Sequence, residues 1–341
     1  MKFIKPAGTS RGVLTKKDSY FIILRDMDAP GKFGIGECSL IPELSFDNVE
    51  IFEAQLKRVC RQITSGEVGL DVEFPDFPAI QFGLETALTD LQNGGNRILF
   101  PSDFTMGKKG ILINGLIWMD SKQGMLKQIE GKLAAGFTIL KMKVGALNFK
   151  DELELLQMIR EKWKEQKLEI RLDANGAWKR EEAIEKLNLI SAYRIHSIEQ
   201  PIRPGFPEDM AEICETSPIP VALDEELIGI SSRDKKEEIL ATIKPAYIIL
   251  KPSLLGGISA SETWIQLAEK LGIGWWVTSA LESNIGLNAI AQWTATLNTT
   301  QPQGLGTGSL FANNLPSPLT VTGSRLIYRP EKSWNLSSLK F

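Results

Sequence analysis

From about Ile111 onward the chain repeats one rhythm, and this constrains the fold more than any other feature. Short apolar strands recur as ILINGLIW, TILKMKV, EIRLDAN, IHSIEQP, IPVALDE, YIILKPS and WWVTSAL. Between them lie helical patterns such as DELELLQMIREKW, REEAIEKLNLI, PEDMAEICE, KKEEILATI and SETWIQLAEKLG. Strands alternating with helices call for a parallel sheet with right-handed crossovers. The repeat number and the length from Ile111 to about Leu310 fit a TIM-type (β/α) barrel. The alternative, an open doubly wound sheet, lacks a Gly-rich turn after the first strand. The dense glycine cluster GLGTG near Gly304 comes last and has no following Lys-Ser/Thr, which argues against a phosphate loop.

The first hundred residues follow a different plan. SYFIILRDMD and FGIGECS read as strands joined by a Pro30-Gly31 turn. Two helical patterns follow, NVEIFEAQLKRVCRQITSG and FPAIQFGLETALTDLQNGG; the second has Pro78 near its start, leucines at helical spacing and a double glycine to end it. Strands followed by helices predict an α+β domain over 1–105, ahead of a barrel over 106–314. The C-terminal 315–341 has no helical pattern and is expected to pack back on the first domain.

Composition excludes several functions. A net charge of −3 leaves no footprint for nucleic acid or an anionic membrane. No stretch approaches the ~20 apolar residues of a membrane span, and the start lacks the apolar core of a signal peptide. Cys38, Cys60 and Cys214 are scattered and without metal spacing, so reduced thiols and a cytoplasmic setting are expected. The single histidine, His196, falls on the outward parity of its strand and is expected to pack under a helix; Trp275 and Trp276 read as packing residues. Acid–base or metal chemistry must then rest on Lys, Asp and Glu.

Those residues stand at the strand ends. Lys143, Asp173, Glu199, Asp224 and Lys251 close five successive strands, at intervals of 30, 26, 25 and 27 residues. One charged side chain per βα unit places all five at one rim, where barrel enzymes keep their chemistry. Ile170, Leu172, Ile198, Val221, Leu223, Ile248 and Leu250 have the opposite parity and face the helices. Buried charges so gathered must neutralise something together. Three carboxylates without histidine or cysteine make a hard-oxygen site for Mg²⁺ or Mn²⁺.

Such an ion can hold a substrate carboxylate while its α-proton leaves. A lysine near its ordinary pKa of about 10.4 is too fully protonated to take that proton. In TILKMKV, Lys141 and Lys143 share one face, about 7 Å apart along the strand. A neighbouring ammonium and a nearby metal both disfavour the charged amine. Lys143, nearer the rim, is expected as the base, with Lys141 tuning it or touching the substrate carboxylate. Lys251, across the barrel, is expected as a second acid/base or as a cation facing developing charge. A different reading has Lys251 forming a Schiff base, as in lysine-dependent aldolases, and a third is a non-catalytic scaffold.

LKMKVG, DANGAW, EQP, DEE, LKPSLLGG and SALESNIG, in this order, resemble the enolase superfamily, within it the muconate-lactonizing-enzyme subgroup. The resemblance runs through the chain: FGIGECSLIPEL and FPAIQFGLETALTDL resemble its capping domain, and the strand series its modified (β/α)₇β barrel. It implies an enzyme with Mg²⁺ on Asp173, Glu199 and Asp224, with Lys143 and Lys251 catalytic and Asn175 behind the ligands. The likeness is greatest to members that dehydrate a succinyl-hydroxycyclohexadiene carboxylate in menaquinone synthesis, a lyase reaction on a small carboxylate. It implies Ser279, Ser283 and Gly256 as substrate contacts, although Ser283 is equally placed to cap the next helix. Muconate cycloisomerases, N-succinylamino-acid racemases and dipeptide epimerases are the rivals within the superfamily. Dipeptide epimerases carry an Asp-x-Asp pair after the last barrel strand, and here that place reads GLGTGSLF, with no acid.

Overall fold

The computed structural model describes residues 1–9, 12–29, 31–163 and 167–339. Pro30, half of the expected Pro30-Gly31 turn, lies outside them. The N-terminal part opens with an antiparallel hairpin, β1 (Lys2–Thr9) and β2 (Gly12–Lys16). A second antiparallel pair follows, β3 (Ser19–Arg25) and β4 (Phe33–Ser39), then helices α1 (Phe52–Thr64) and α2 (Pro78–Gln92). The FGIGECS pattern explains how β4 sits. A Cβ at Gly34 would come within 1.9 Å of the Ala87 carbonyl oxygen, and one at Gly36 within 1.8 Å of that of Gly83. Only glycine lets strand and helix approach so closely. The opposite face of β4 carries Ile35, packed with Ile285 and Leu315, and Glu37, bonded to the start of a barrel helix.

The repeating part is β6 (Gly115–Ile117), after the short β5 (Ile111–Leu112), then α3 (Lys122–Ala134), β7 (Ile139–Lys143), α4 (Phe149–Lys162), β8 (Glu169–Asp173), α5 (Arg180–Ser191), β9 (Ser197–Glu199) and α6 (Pro207–Thr216). It continues with β10 (Val221–Leu223), α7 (Arg233–Ile243), β11 (Tyr247–Leu250), the single turn α8 (Pro252–Leu255), α9 (Ile258–Lys270), β12 (Gly274–Val277) and α10 (Asn284–Thr296). Strands β6 to β12 form one parallel sheet in sequence order. Parallel bridges Thr278–Gly304 and Ile113–Gln303 connect its two edges through the chain at 303–304. The result is the modified (β/α)₇β barrel with an N-terminal α+β domain. The helix-facing residues named above lie in the main core with Leu155, Leu156, Leu187 and Trp264. The expected first strand, ILINGLIW, is divided. Its Ile111–Leu112 pairs antiparallel with β14 (Arg325–Tyr328), itself paired with β13 (Leu319–Thr322), while Gly115–Ile117 pairs with β7 in the barrel sheet. Trp334, Leu336 and Leu339 pack beside Phe21, Ile23 and Ile35 of the N-terminal part.

His196 departs from the expectation. Strand β9 begins at Ser197, so the alternation does not extend back to it. Its ring stacks on Tyr247, centroids 5.3 Å apart, and meets Trp276 edge-on at 6.4 Å. Trp276 also carries the Arg171 guanidinium, 4.3 Å from its centroid. These side chains close the barrel end opposite the rim.

Asp47 yields a prediction about stability. It is 3% exposed and accepts from the Ala79 amide at the start of α2 at 3.1 Å, and its other oxygen has no partner among the described residues. Burial pushes its carboxyl up to about 7, above the unfolded value of about 3.9. Between these values the folded chain holds the extra proton, so stability falls as pH rises through about 4 to 7. Urea unfolding at pH 5 and pH 8 should show this loss, and Asp47→Asn should reduce it by about 2 kcal/mol. An unchanged loss in the variant would remove Asp47 from the account.

Candidate active site at the barrel rim

The rim charges come together because strand register aligns them. Lys143 pairs with Asp173 across β7 and β8, and Asp173 with Glu199 across β8 and β9. Asp224 follows β10, and Lys251 follows β11. Asp173, Glu199 and Asp224 are 0%, 2% and 1% exposed. The Lys143 ammonium donates to Asp173 Oδ2 at 2.6 Å and to Asn175 Oδ1 at 2.7 Å. Lys141 donates to Glu199 at 2.6 Å and reaches the same Asp173 Oδ2 at 2.9 Å. Lys251 is paired with Asp224. Six of the sequence-derived residues thus form one buried cluster of three carboxylates and three ammonium groups.

The cluster is unevenly balanced. Burial works to raise the Asp173 carboxyl, but Lys141 and Lys143 outweigh it and hold it below the usual range. Asp224 is likewise held low, against burial, by Lys251 and Lys141. Burial works to lower Lys141 and Lys251, and the surrounding carboxylates hold both above the usual lysine value. Glu199 goes the other way: burial, then the charge of Asp173, pushes its carboxyl well up. Lys141 and Lys143 share one oxygen of Asp173.

Among the described residues no three acids are gathered tightly enough to enclose an ion as they stand. Their oxygens are engaged by the lysine ammonium groups instead. The donor set still fits a hard divalent cation. It is all carboxylate oxygen on three consecutive strands and withdrawn from water.

Neighbouring residues brace the acids. Asn175, at a left-handed φ of 46°, links Lys143 to Glu225 through its amide at 2.9 Å. Gln200 is fully buried at a φ of 40°; its side-chain oxygen accepts from the Asp224 amide at 3.2 Å and its nitrogen donates to Glu226 at 3.1 Å. Gln200 and Glu225 were adjacent to the EQP and DEE acids, and that adjacency was the available signal.

Above the cluster lies an open cleft of about 1200 Å³, with Lys141, Lys143, Lys251, Asn175 and Glu225 at its base. One wall is polar, built from Asn114, Thr278, Ser279 and Thr307 with Gly304 and Gly306. The other is mainly apolar: Val13 and Leu14 of β2 and Ile41, Pro42 and Leu44 after β4, with the acid Glu43 among them, meet Leu116, Trp118 and Leu281. The N-terminal contributions were not identified from sequence, because no local pattern says which loop reaches the barrel mouth. Ser279 lines the cleft and is bonded to Thr307 at 2.6 Å.

Two expected substrate contacts stand elsewhere. Ser283 is fully buried and accepts from the Ile285 amide at 3.2 Å as the N-cap of α10. Its hydroxyl donates to Glu37 at 2.5 Å. Gly256 ends α8 at a φ of 93° and lines a separate depression between α2 and α9, not the cleft.

Residues 124–329 match the family described as enolase C-terminal domain-like. The chain belongs to the enolase superfamily. Among its curated relatives is the o-succinylbenzoate synthase of Desulfotalea psychrophila, 48% identical over 95% of both sequences. The crystal structure of MenC from Desulfotalea psychrophila superposes with a TM-score of 0.82 at 43% identity, covering 95% of this chain and 97% of that one. The enolase-superfamily fold extends to the dipeptide epimerase of Cytophaga hutchinsonii, crystallised with Mg and D-Ala-L-Val. That chain matches at a TM-score of 0.81 and 23% identity, covering 99% of this chain and 95% of the other. Among the described residues no helix is long and apolar enough to cross a membrane.

Proposed function

We propose that this chain is a Mg²⁺-dependent o-succinylbenzoate synthase. It would dehydrate 2-succinyl-6-hydroxy-2,4-cyclohexadiene-1-carboxylate with syn geometry, supplying the aromatic intermediate of menaquinone biosynthesis in the cytoplasm. One observation supports the reading most strongly: Lys143 and Lys251 stand on separate strands at the base of one cleft, flanking three buried carboxylates. The 48% identical relative narrows the chemistry from the superfamily to this dehydration.

Asp173, Glu199 and Asp224 would hold the cation, which when bound neutralises the substrate carboxylate and the charge that grows on it. Lys143, as the free amine, takes the proton from the carbon bearing the carboxylate, and the C–H electron pair moves into the carboxylate as an enediolate. The electrons then return and expel the ring hydroxyl. Lys143 gives its newly acquired proton to that hydroxyl, releasing water and leaving an aromatic ring. Lys251, kept protonated by Asp224, donates to the developing oxyanion. Lys141, beside Lys143 on the same strand, would touch the substrate carboxylate. Neutral donors on the Ser279–Thr307 wall suit the succinyl oxygens.

Racemisation of N-succinyl amino acids needs the same two lysines and fits the same cleft. A dipeptide ammonium fits less well, since the segment after the last barrel strand, GLGTGSLF, has no acid. The direct test is turnover of the cyclohexadiene carboxylate with Mg²⁺. Racemisation of N-succinyl amino acids without any dehydration would overturn the synthase assignment and leave the superfamily.

A further inference from the structure

The loop Ser279–Ser283, which leads from β12 to α10, forms part of the cleft wall and is strained. Leu281 lines the cleft with a φ of 59°, in the left-handed region that a branched side chain resists. Such outliers persist where surrounding contacts over-determine them. The loop's own bonds account for part of this: the Leu281 amide donates to Ser279 Oγ at 3.2 Å, and buried Glu282 is bonded to Ser253. The Leu281 carbonyl depends on the other domain. It accepts from the Lys17 ammonium at 2.9 Å.

Lys17 immediately follows β2 and is 3% exposed. Its ammonium also bonds Ser39 at the end of β4, and the Ser39 hydroxyl donates to the Ala280 carbonyl at 3.3 Å. The carboxylates of Glu37, Glu282 and Asp18 act on it as opposite charges. Glu37 in turn accepts from the Ser283 amide at 2.9 Å and the Gly286 amide at 3.0 Å. Lys17 is therefore a buried cation from the N-terminal domain placed against a strained carbonyl in the barrel's cleft wall. A surface lysine fulfilling a solvation role would not be withdrawn from water in this way.

We infer that Lys17 is a positioning residue: by donating to the Leu281 carbonyl it holds Leu281 in its left-handed conformation and so sets the apolar wall against which the substrate lies. The link also joins the wall to the hairpin, since Val13 and Leu14 on β2 line the same cleft. The consequence is specific to binding. Lys17 touches neither the lysines nor the carboxylates of the rim cluster, so its loss should raise KM and spare kcat. The kinetic part of this inference rests on the proposed dehydration; the backbone part does not.

The test is a double-mutant cycle with Lys17→Met and Leu281→Gly, since glycine adopts a positive φ at no steric cost. Lys17→Met is expected to raise KM about tenfold with kcat changed less than about twofold, the scale of one charged hydrogen bond. In the Leu281→Gly background the same substitution should raise KM less than about twofold. Hydrogen exchange of the 278–286 amides, which requires no substrate, should be at least about tenfold faster in Lys17→Met, and Lys17→Arg should restore most of the protection. If Lys17→Met does not fold, Leu281→Gly should recover the folded protein. Equal effects of Lys17→Met in both backgrounds, unchanged exchange, or no recovery of folding would each overturn the inference. Absence of dehydration in the wild type, with the exchange result intact, would instead overturn the functional reading alone.

Discussion

Lys143→Ala is expected to lower kcat for the dehydration by about 10³- to 10⁴-fold, the upper range for loss of a positioned acid–base group. The same side chain removes the proton and returns it to the leaving hydroxyl, so both halves of the reaction fail together. Folding should survive, because Asp173 keeps Lys141 at 2.9 Å as a counter-charge. Lys251→Ala should cost less, about 10²- to 10³-fold, the usual value of one donor facing a developing oxyanion. Its removal leaves Asp224 without its closest ammonium, so Lys251→Ala should also lower the unfolding midpoint more than Lys143→Ala does. Steady-state kinetics with thermal unfolding of both variants checks the pair. Activity within tenfold of wild type in Lys143→Ala would refute its assignment as base.

Chelation is expected to have an effect of similar size. Exhaustive EDTA treatment should reduce turnover below about 1% of the starting rate, and Mg²⁺ should restore it. The protein should remain folded throughout, since the acids are already engaged by Lys141, Lys143 and Lys251. Mg²⁺ at about 100 times its Kd should stabilise the folded state by about 2.7 kcal/mol. Glu199→Gln should abolish both the thermal shift and the rescue. It replaces the acid that burial and its neighbours push well up, so the apo variant should be no less stable than wild type. Turnover indifferent to EDTA, together with inactivation by borohydride in the presence of substrate, would favour the Schiff-base reading of Lys251 instead.

Much of the site was legible because barrel chemistry follows a simple rule of position. A polar residue ending an apolar strand, repeated every 25 to 30 residues, identifies a rim whatever the rest of the fold does. Parity told inside from outside along β7 to β11, and it failed only at His196, one residue before its strand begins. Local patterns were weaker where one segment serves two purposes. ILINGLIW reads as a single strand, but its first residues pair with β14 and its last with β7.

Sequence by itself thus determined the βα rhythm, the row of charges and the type of chemistry they can perform, because each depends on near neighbours along the chain. Tertiary structure alone decided which distant segments share the cleft. Ser279 faces it, while Ser283, four residues on, caps a helix against Glu37. Val13, Leu14 and Ile41 reach it from the N-terminal domain. Lys17 meets Leu281 across 264 residues of chain. Such meetings depend on how whole layers dock, and docking is governed by summed packing between surfaces that leave no periodic trace in either segment.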